Sequence, residues 1–144
     1  MRLLILKCNT GQAAPGPRCR AAASLVITKF TFAPLITSKI RIYVTSVAGD
    51  NRSQVVEVEA YGPLNVAAAS NGATATASST YSTVTPSNAN NGDHVGTASW
   101  WADDTSNTYP DTLQVEFSGS KTVSEIDLSK LTLQFPQGTE SASK

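Results

Sequence analysis

Three short stretches of the chain alternate apolar and polar residues with a period of two. Their apolar positions are Ile40, Ile42 and Val44, then Val56, Val58 and Ala60, and finally Leu113, Val115 and Phe117. Successive side chains of a β-strand point to opposite faces of a sheet, so each stretch predicts a strand with one buried and one wet face. A chain built from such strands is predicted to be all-β.

Two further patterns refine the strand prediction. Phe30 and Phe32 share one face of a predicted strand that ends at Pro34, because proline has no N–H to donate to a ladder. Val123 is out of phase with Ile126, which predicts a β-bulge or a shifted strand start between them.

Turn residues divide the chain. AGDN at residues 48–51 and SGSK at residues 118–121 predict turns, and Gly62-Pro63 predicts a module boundary. The uncharged tract at residues 66–85 is either a flexible linker or a run of short strands, and its β-branched and aromatic content favours strands.

Composition and charge exclude some functions. The length of 144 residues suits one domain, and charged residues make up only 15% of the chain. The net charge is zero, which argues against a nucleic-acid partner, since neutralising phosphates needs a surplus of Lys and Arg. The halves differ in sign, with net +5 in residues 1–62 and net −5 in residues 63–144.

The two ends carry weaker signals. Residues 1–23 have neither strand nor helix periodicity and are predicted to be an unstructured or foreign leader, without a secretory signal or a membrane span. Cys8 and Cys19 form either a disulfide or two free thiols. Residues 129–144 are an uncertain tail.

The residues that usually perform catalysis are sparse. His94 is the only histidine, and no nucleophile-elbow pattern accompanies it. Asp103, Asp104 and Asp111 are candidates for a glycosidase pair of carboxylates, but solvated loop acids explain them better. The sequence therefore predicts that the chain is not an enzyme.

A family resemblance rests on several motifs in the second half of the chain. They are NVA at 65–67, ATASSTY at 75–81, PSNANNGD at 86–93, Trp100 and LQVEF at 113–117. This set resembles the first half of a coagulation factor 5/8 type C (discoidin) domain, grouped with the family 32 carbohydrate-binding modules. FTFAP at 30–34, IRIYV at 40–44 and VEVEAYG at 56–62 are similar to the last strands of that domain.

The resemblance implies a jelly-roll-like antiparallel β-sandwich of the galactose-binding-like type, with its two halves in reversed order. Residues 24–62 correspond to the C-terminal strands of a discoidin-like module, and residues 63–128 correspond to the N-terminal half. The chain is then either a piece of a tandem array or a circular permutant. In both cases middle strands are missing, and unpaired sheet edges that promote association are expected.

The loop that follows the PSN motif is a candidate calcium site. Asn91, Asp93 and Thr97 carry the oxygen donors that Ca²⁺ prefers, with main-chain carbonyls such as that of Ala89 beside them. The resemblance implies that Glu57, from the final strand, completes a structural Ca²⁺ site. The common pattern has Asp where this chain has Asn91, which lowers the expected affinity. The alternative is an Asn-rich turn that binds no ion.

Aromatic and polar loop residues form a candidate sugar site. One tryptophan is expected in the core, and Trp100 is assigned there, which leaves Trp101 or Tyr109 as a platform for a sugar ring. The expected hydrogen-bond partners of the sugar hydroxyls are Asp103, Asp104 and Asn107.

Together these patterns predict a non-catalytic carbohydrate-binding or cell-adhesion module that is extracellular or at the cell surface. It would be an appendage of a larger secreted, surface or phage-associated protein, and its partner would be a glycan or glycoconjugate. The alternatives are a structural spacer in a tandem array and, less favoured, a module that binds anionic lipid.

Overall fold

The computed structural model describes the backbone of residues 4–9, 22–47, 51–94 and 99–134, and side chains within 27–47, 51–94 and 99–130. These residues form seven strands and two short 3₁₀ helices, and they contain no α-helix. The strands are β1 (Leu4–Asn9), β2 (Ala22–Ser46), β3 (Gln54–Val55), β4 (Glu57–Tyr61), β5 (Thr74–Ala77), β6 (Trp101–Ala102) and β7 (Asp111–Gln134). The 3₁₀ helices are Ala69–Asn71 and Pro86–Asn90. The all-β prediction is confirmed.

The long strand β7 lies at the centre of the main sheet. Its first edge pairs antiparallel with β2, from Ala22 opposite Gln134 to Val44 opposite Asp111. Its second edge pairs with β5 near one end and with β4 near the other. β1 adds to β2 in parallel, and β3 and β6 form a separate two-stranded sheet. The pairing of β2 and β4 with β7 therefore brings the two halves of the sequence together.

One hydrophobic core joins both halves. Its buried members are Ile40, Ile42, Val44, Val55, Val58, Ala60, Val66, Ala67, Ala73, Ala89, Trp101, Leu113, Val115, Phe117, Val123, Ile126 and Leu128. The alternating apolar residues belong to this interior as predicted, except Val56, which is buried outside this cluster. The predicted wet face is wrong at Glu57, which is also buried. Burial of each large aliphatic side chain stabilises the fold by about 1.5–3 kcal/mol.

Two interruptions in the pairing of β2 with β7 bend these long strands. Between the pairs Thr31–Glu125 and Leu35–Val123, three β2 residues oppose a single β7 residue. The predicted end of the strand at Pro34 is wrong, because β2 continues and Pro34 lies in this bulge, where no ladder N–H is required. Val123 and Ile126 are both buried although they are out of phase, and the register shift lies between their pairs with β2, as the predicted bulge requires.

A second interruption involves the SGSK segment. The register jumps from Thr37 opposite Lys121 to Lys39 opposite Glu116, so residues 117–120 have no partner on β2. Gly119 has a φ of +81°, a conformation that disfavours other residues. The predicted turn is therefore a bulge within β7. The strand then continues to Gln134, which places the start of the predicted tail in the sheet.

The predicted unstructured leader is wrong where the structure describes it. Residues Leu4–Asn9 form β1, which pairs with Ile40–Ser46 of β2, and β2 itself begins at Ala22. An edge strand needs only a few extended residues to complete its ladder, so the short apolar run suffices. Cys19 and the side chain of Cys8 lie outside the described residues.

The uncharged tract of residues 66–85 is structured, as the strand alternative predicts. It contains the first 3₁₀ helix and β5, which pairs with β7. Within the described ranges, no helix is both long enough and apolar enough to cross a membrane.

Candidate functional site

Three loops meet at one end of the small β3–β6 sheet. Val55 of β3 pairs with Trp101 of β6. The N–H of Tyr81 donates to the carbonyl oxygen of Ala102 at 2.9 Å. The N–H of Asn107 donates to the carbonyl oxygen of Asn51 at 2.8 Å. These bonds hold residues 51–55, 79–84 and 101–107 together.

Trp101 is a core residue. It has 0% exposure, and its indole Nε1 donates to the carbonyl oxygen of Ser79 at 3.0 Å. The prediction that Trp101 is a platform for sugar is wrong, since a ring without exposed surface cannot stack on a ligand. Trp100, which was assigned to the core, is only half-buried. The pairing with Val55 decides which tryptophan points inward.

Asp103 is also buried and fully hydrogen-bonded. Its Oδ1 accepts from the N–H of Ser53, and its Oδ2 accepts from the N–H of Thr105 at 2.8 Å and from the Thr105 hydroxyl at 2.7 Å. Neither oxygen is exposed to a ligand, so the prediction that Asp103 binds sugar hydroxyls is wrong. Asp103 instead fixes two loops to each other.

Asp111 lies beside Asp103 with 3% exposure. Its Oδ2 accepts from the hydroxyl of Ser53 at 2.7 Å, and its Oδ1 lies 3.3 Å from the Thr105 hydroxyl. Burial raises the pKa of Asp111 and outweighs the hydrogen bond from Ser53, which lowers it, while the charge of Asp103 adds to the increase. We call Ser53, Asp103, Thr105 and Asp111 the carboxylate clamp. The prediction of solvated loop acids is wrong for both of its aspartates.

Asp104 is the exposed acid of this region, and it belongs to a cluster that we call the Arg52 corner, formed by Arg52, Tyr81 and Asp104. The Arg52 guanidinium lies 4.1 Å from the centre of the Tyr81 ring and 3.7 Å from Asp104 Oδ1. Arg52 Nη1 also donates to the carbonyl oxygen of Asp103 at 3.2 Å. Tyr81 is 45% exposed.

Sequence reasoning missed Arg52 and Tyr81 as site residues. Tyr81 appears in the ATASSTY motif, but nothing in the spacing shows that it meets Arg52, 29 positions earlier. The predicted sugar contacts of Asn107 and Tyr109 stay predictions. Asn107 is exposed, with a φ of +52°, and Tyr109 packs half-buried against the core.

The predicted calcium ligands surround a second buried carboxylate, on β4. Glu57 has 0% exposure. Its Oε1 accepts from the N–H of Gly92 at 3.2 Å, whereas its Oε2 is buried without a hydrogen-bond partner. Burial raises the pKa of Glu57 to about 7, and the charges of Glu59 and Asp93 add to this effect. We call residues 86–94 together with Glu57 the Glu57 loop.

The loop itself is held by asparagines. Asn90 Nδ2 donates to the carbonyl oxygen of Ala67, and Asn91 Oδ1 accepts from the N–H of Asp93 at 2.8 Å. Ala89 is buried in the core. The structure thus brings Glu57, Ala89, Asn91 and Asp93 to one loop, while Thr97 lies outside the described residues.

The buried, unpartnered oxygen of Glu57 fits a cation, because an ionised carboxylate in the interior is costly without a positive partner. Across the described part of the chain, no three side chains of His, Cys, Asp or Glu are grouped to hold a metal. A cation at this loop would therefore depend on main-chain and amide oxygens beside one or two carboxylates. Such a mixed oxygen set is typical of Ca²⁺.

His94 is an exposed loop histidine, as expected. Its Nδ1 lies 3.7 Å from Glu59 Oε2.

The fold defines the chain as an all-β, sandwich-like domain. The Arg52 corner lies on an exposed loop surface of this domain. No known protein family, curated protein or solved structure matches it. The discoidin resemblance stays a prediction that rests on the quoted motifs.

Proposed function

We propose that this chain is a non-catalytic carbohydrate-binding module of a secreted or surface protein and that it binds a glycan at the Arg52 corner. The observation that carries the proposal is Tyr81, which is 45% exposed and has the Arg52 guanidinium over its ring, together with the exposed carboxylate of Asp104 next to that guanidinium. Shallow sites for neutral sugars combine an apolar surface with a few placed polar groups.

The chemistry of the corner suits a sugar with adjacent hydroxyls. Arg52 supplies N–H donors and Asp104, whose side chain is 63% exposed, supplies acceptor oxygens. Tyr81 offers the exposed part of its ring that Arg52 does not cover to the apolar C–H face of a pyranose. Because Arg52 and Asp104 lie 3.7 Å apart, one hydroxyl can accept from the guanidinium while its neighbour donates to the carboxylate.

The loops beneath the corner favour binding because they are already ordered. Asp103 fixes Ser53 and Thr105 from below, and Arg52 rests on the main chain of Asp103. A site whose side chains are held before the ligand arrives loses less conformational entropy on binding.

The Glu57 loop supports the second part of the proposal, a structural Ca²⁺. The ion would be held by Glu57 Oε2, Asp93, and oxygens of Ala89 and Asn91, with Thr97 as the remaining candidate. It would neutralise the buried carboxylate and fix the loop against β4.

A glycan array with the purified chain tests the sugar site. We expect reproducible binding that is lost with Tyr81→Ala and weakened with Asp104→Asn. Two matched controls are Leu64→Ala, an exposed apolar residue, and Glu116→Gln, an exposed carboxylate on β7. Equal binding by all five proteins would exclude the Arg52 corner, and absence of any glycan signal would favour the structural-spacer alternative.

One observation favours a role in assembly. Along residues 28–36, the edge of β2 that faces away from β7 has no paired strand among the described residues, and Ile36 is 67% exposed. Open edges of this kind promote pairing between chains. Light scattering across a concentration series tests for self-association, and Ile36→Lys should reduce it.

A further inference from the structure

Arg52 and Asp104 carry opposite charges at the Arg52 corner, but solvent reaches them unequally. Arg52 Nη1 lies 3.7 Å from Asp104 Oδ1, and the two side chains are 22% and 63% exposed, respectively. One side of the guanidinium also lies over the Tyr81 ring, whose centre is 4.1 Å away. A ligand that arrives from solvent therefore finds the carboxylate more accessible than the guanidinium.

Main-chain contacts hold both charged residues at this corner. Arg52 Nη1 donates to the carbonyl oxygen of Asp103 at 3.2 Å, and the N–H of Asp104 donates to the hydroxyl oxygen of Ser79 at 2.8 Å. The contact of 3.7 Å between the guanidinium and Asp104 is too long for a hydrogen bond. Asp104 therefore balances the charge of Arg52 without using up its N–H donors.

Negative groups outnumber positive ones around the corner. The carboxyl groups of Asp103 and Asp111 are buried beneath it, and among the described residues no Lys, Arg or His forms an ion pair with either of them. Lys29 and Lys39 pair instead with carboxylates of β7. A carboxylate or sulfate on a ligand would thus meet one guanidinium that Asp104 already neutralises, above buried groups that can carry its own sign of charge.

We propose that Asp104 is a specificity-determining residue that excludes acidic glycans, those with carboxylate or sulfate groups, from the Arg52 corner. A neutral sugar can accept from the guanidinium and donate to the carboxylate without meeting a repulsive charge. Without the carboxylate of Asp104, the Arg52 guanidinium can form a charge-assisted pair with an anionic group of the ligand. This role rests on the proposed function, because it requires that the corner binds a glycan.

A glycan array that carries the same oligosaccharides with and without sialic acid or sulfate tests this role. The wild type should bind the neutral members several-fold more strongly than the acidic ones. Asp104→Asn should weaken binding of the neutral members and raise that of the acidic ones, so that the preference is lost or reversed. Glu116→Gln, which removes the same charge from an exposed carboxylate on β7, should leave the preference unchanged.

Salt and a double variant separate a direct effect on Arg52 from a general effect of net charge. The acidic binding that Asp104→Asn gains should shrink as salt is added, because ions screen exposed charges. It should also disappear when Arg52→Gln is combined with Asp104→Asn, and circular dichroism shows whether each variant is folded.

The failure of this role and the failure of the proposed function give different results on the array. Wild-type binding that favours acidic glycans, or an Asp104→Asn protein with the same ratio of neutral to acidic binding as the wild type, would overturn the role of Asp104. The Arg52 corner would then still be the glycan site if Tyr81→Ala abolishes binding. Absence of binding by every protein would overturn the proposed function and the role of Asp104 with it.

Discussion

The carboxylate clamp and the Glu57 loop both bury acidic side chains, but they satisfy them differently. Asp103 and Asp111 accept hydrogen bonds from the main chain and hydroxyls of Ser53 and Thr105. Glu57 receives one N–H on Oε1, and its Oε2 has no partner. A satisfied buried carboxylate holds structure, whereas an unsatisfied one retains capacity for a ligand. Substitutions in the carboxylate clamp and in the Glu57 loop should therefore have different effects on the free energy of unfolding.

The largest effect is expected at Asp103. Asp103→Ala removes the acceptor for the buried N–H of Ser53 and for the N–H and hydroxyl of Thr105, whose bonds to Asp103 are partly buried. We expect a loss of about 3–5 kcal/mol in the free energy of unfolding, measured by urea denaturation. Asp103→Asn keeps one acceptor oxygen and should cost less. A loss below that of a typical surface substitution would contradict the structural role of the clamp.

Replacing Glu57 should stabilise the protein, in contrast to replacing Asp103, when divalent ions are removed by EDTA. Its folded pKa of about 7 lies above its ordinary value of 4.5, so the folded state keeps a proton that the unfolded state releases. The stability from this group is present below about pH 4.5 and is lost as the pH rises to about 7. Glu57→Gln should therefore stabilise the metal-free protein at pH 8 by on the order of 3 kcal/mol.

Ca²⁺ should reverse the difference in stability between the wild type and Glu57→Gln. Ca²⁺ at 100 times its dissociation constant stabilises a folded protein by about 2.7 kcal/mol. We expect the ion to raise the thermal unfolding midpoint of the wild type and to leave that of Glu57→Gln nearly unchanged. Calorimetric titration should give heats that Asp93→Ala weakens, with Asp104→Asn as an exposed carboxylate control. Equal heats for the wild type and Asp93→Ala would remove the site.

The sequence predicts the strands of this fold well because each buries one alternating face. The rows of Ile40, Val58 and Leu113 lie in the shared core as the period of two requires. The out-of-phase Val123 also locates a bulge. By contrast, β1 has no alternating pattern that separates it from an irregular leader, because its extended backbone is completed by β2.

The candidate sites are less predictable because they depend on which loops meet. Trp100 and Trp101 are equivalent in sequence, and only the pairing of Trp101 with Val55 places it inside. Asp103 and Asp104 are also neighbours in sequence, but the loops that meet around them bury Asp103 and leave Asp104 exposed. Glu57 meets the loop of Asp93, 36 positions later in the sequence, through the N–H of Gly92, and no spacing in the sequence indicates that contact.

The smallest expected effect is at Asp104, and it sharpens the comparison between buried and exposed acids. Its ion pair with Arg52 is long and largely exposed, so solvent screens the attraction. Asp104→Asn should change the free energy of unfolding by less than about 1 kcal/mol, while it weakens glycan binding. The measurement is urea denaturation beside the glycan array. A large loss of stability would mean that Asp104, like Asp103, supports the loops, and its weakened binding could then not be assigned to a lost sugar contact.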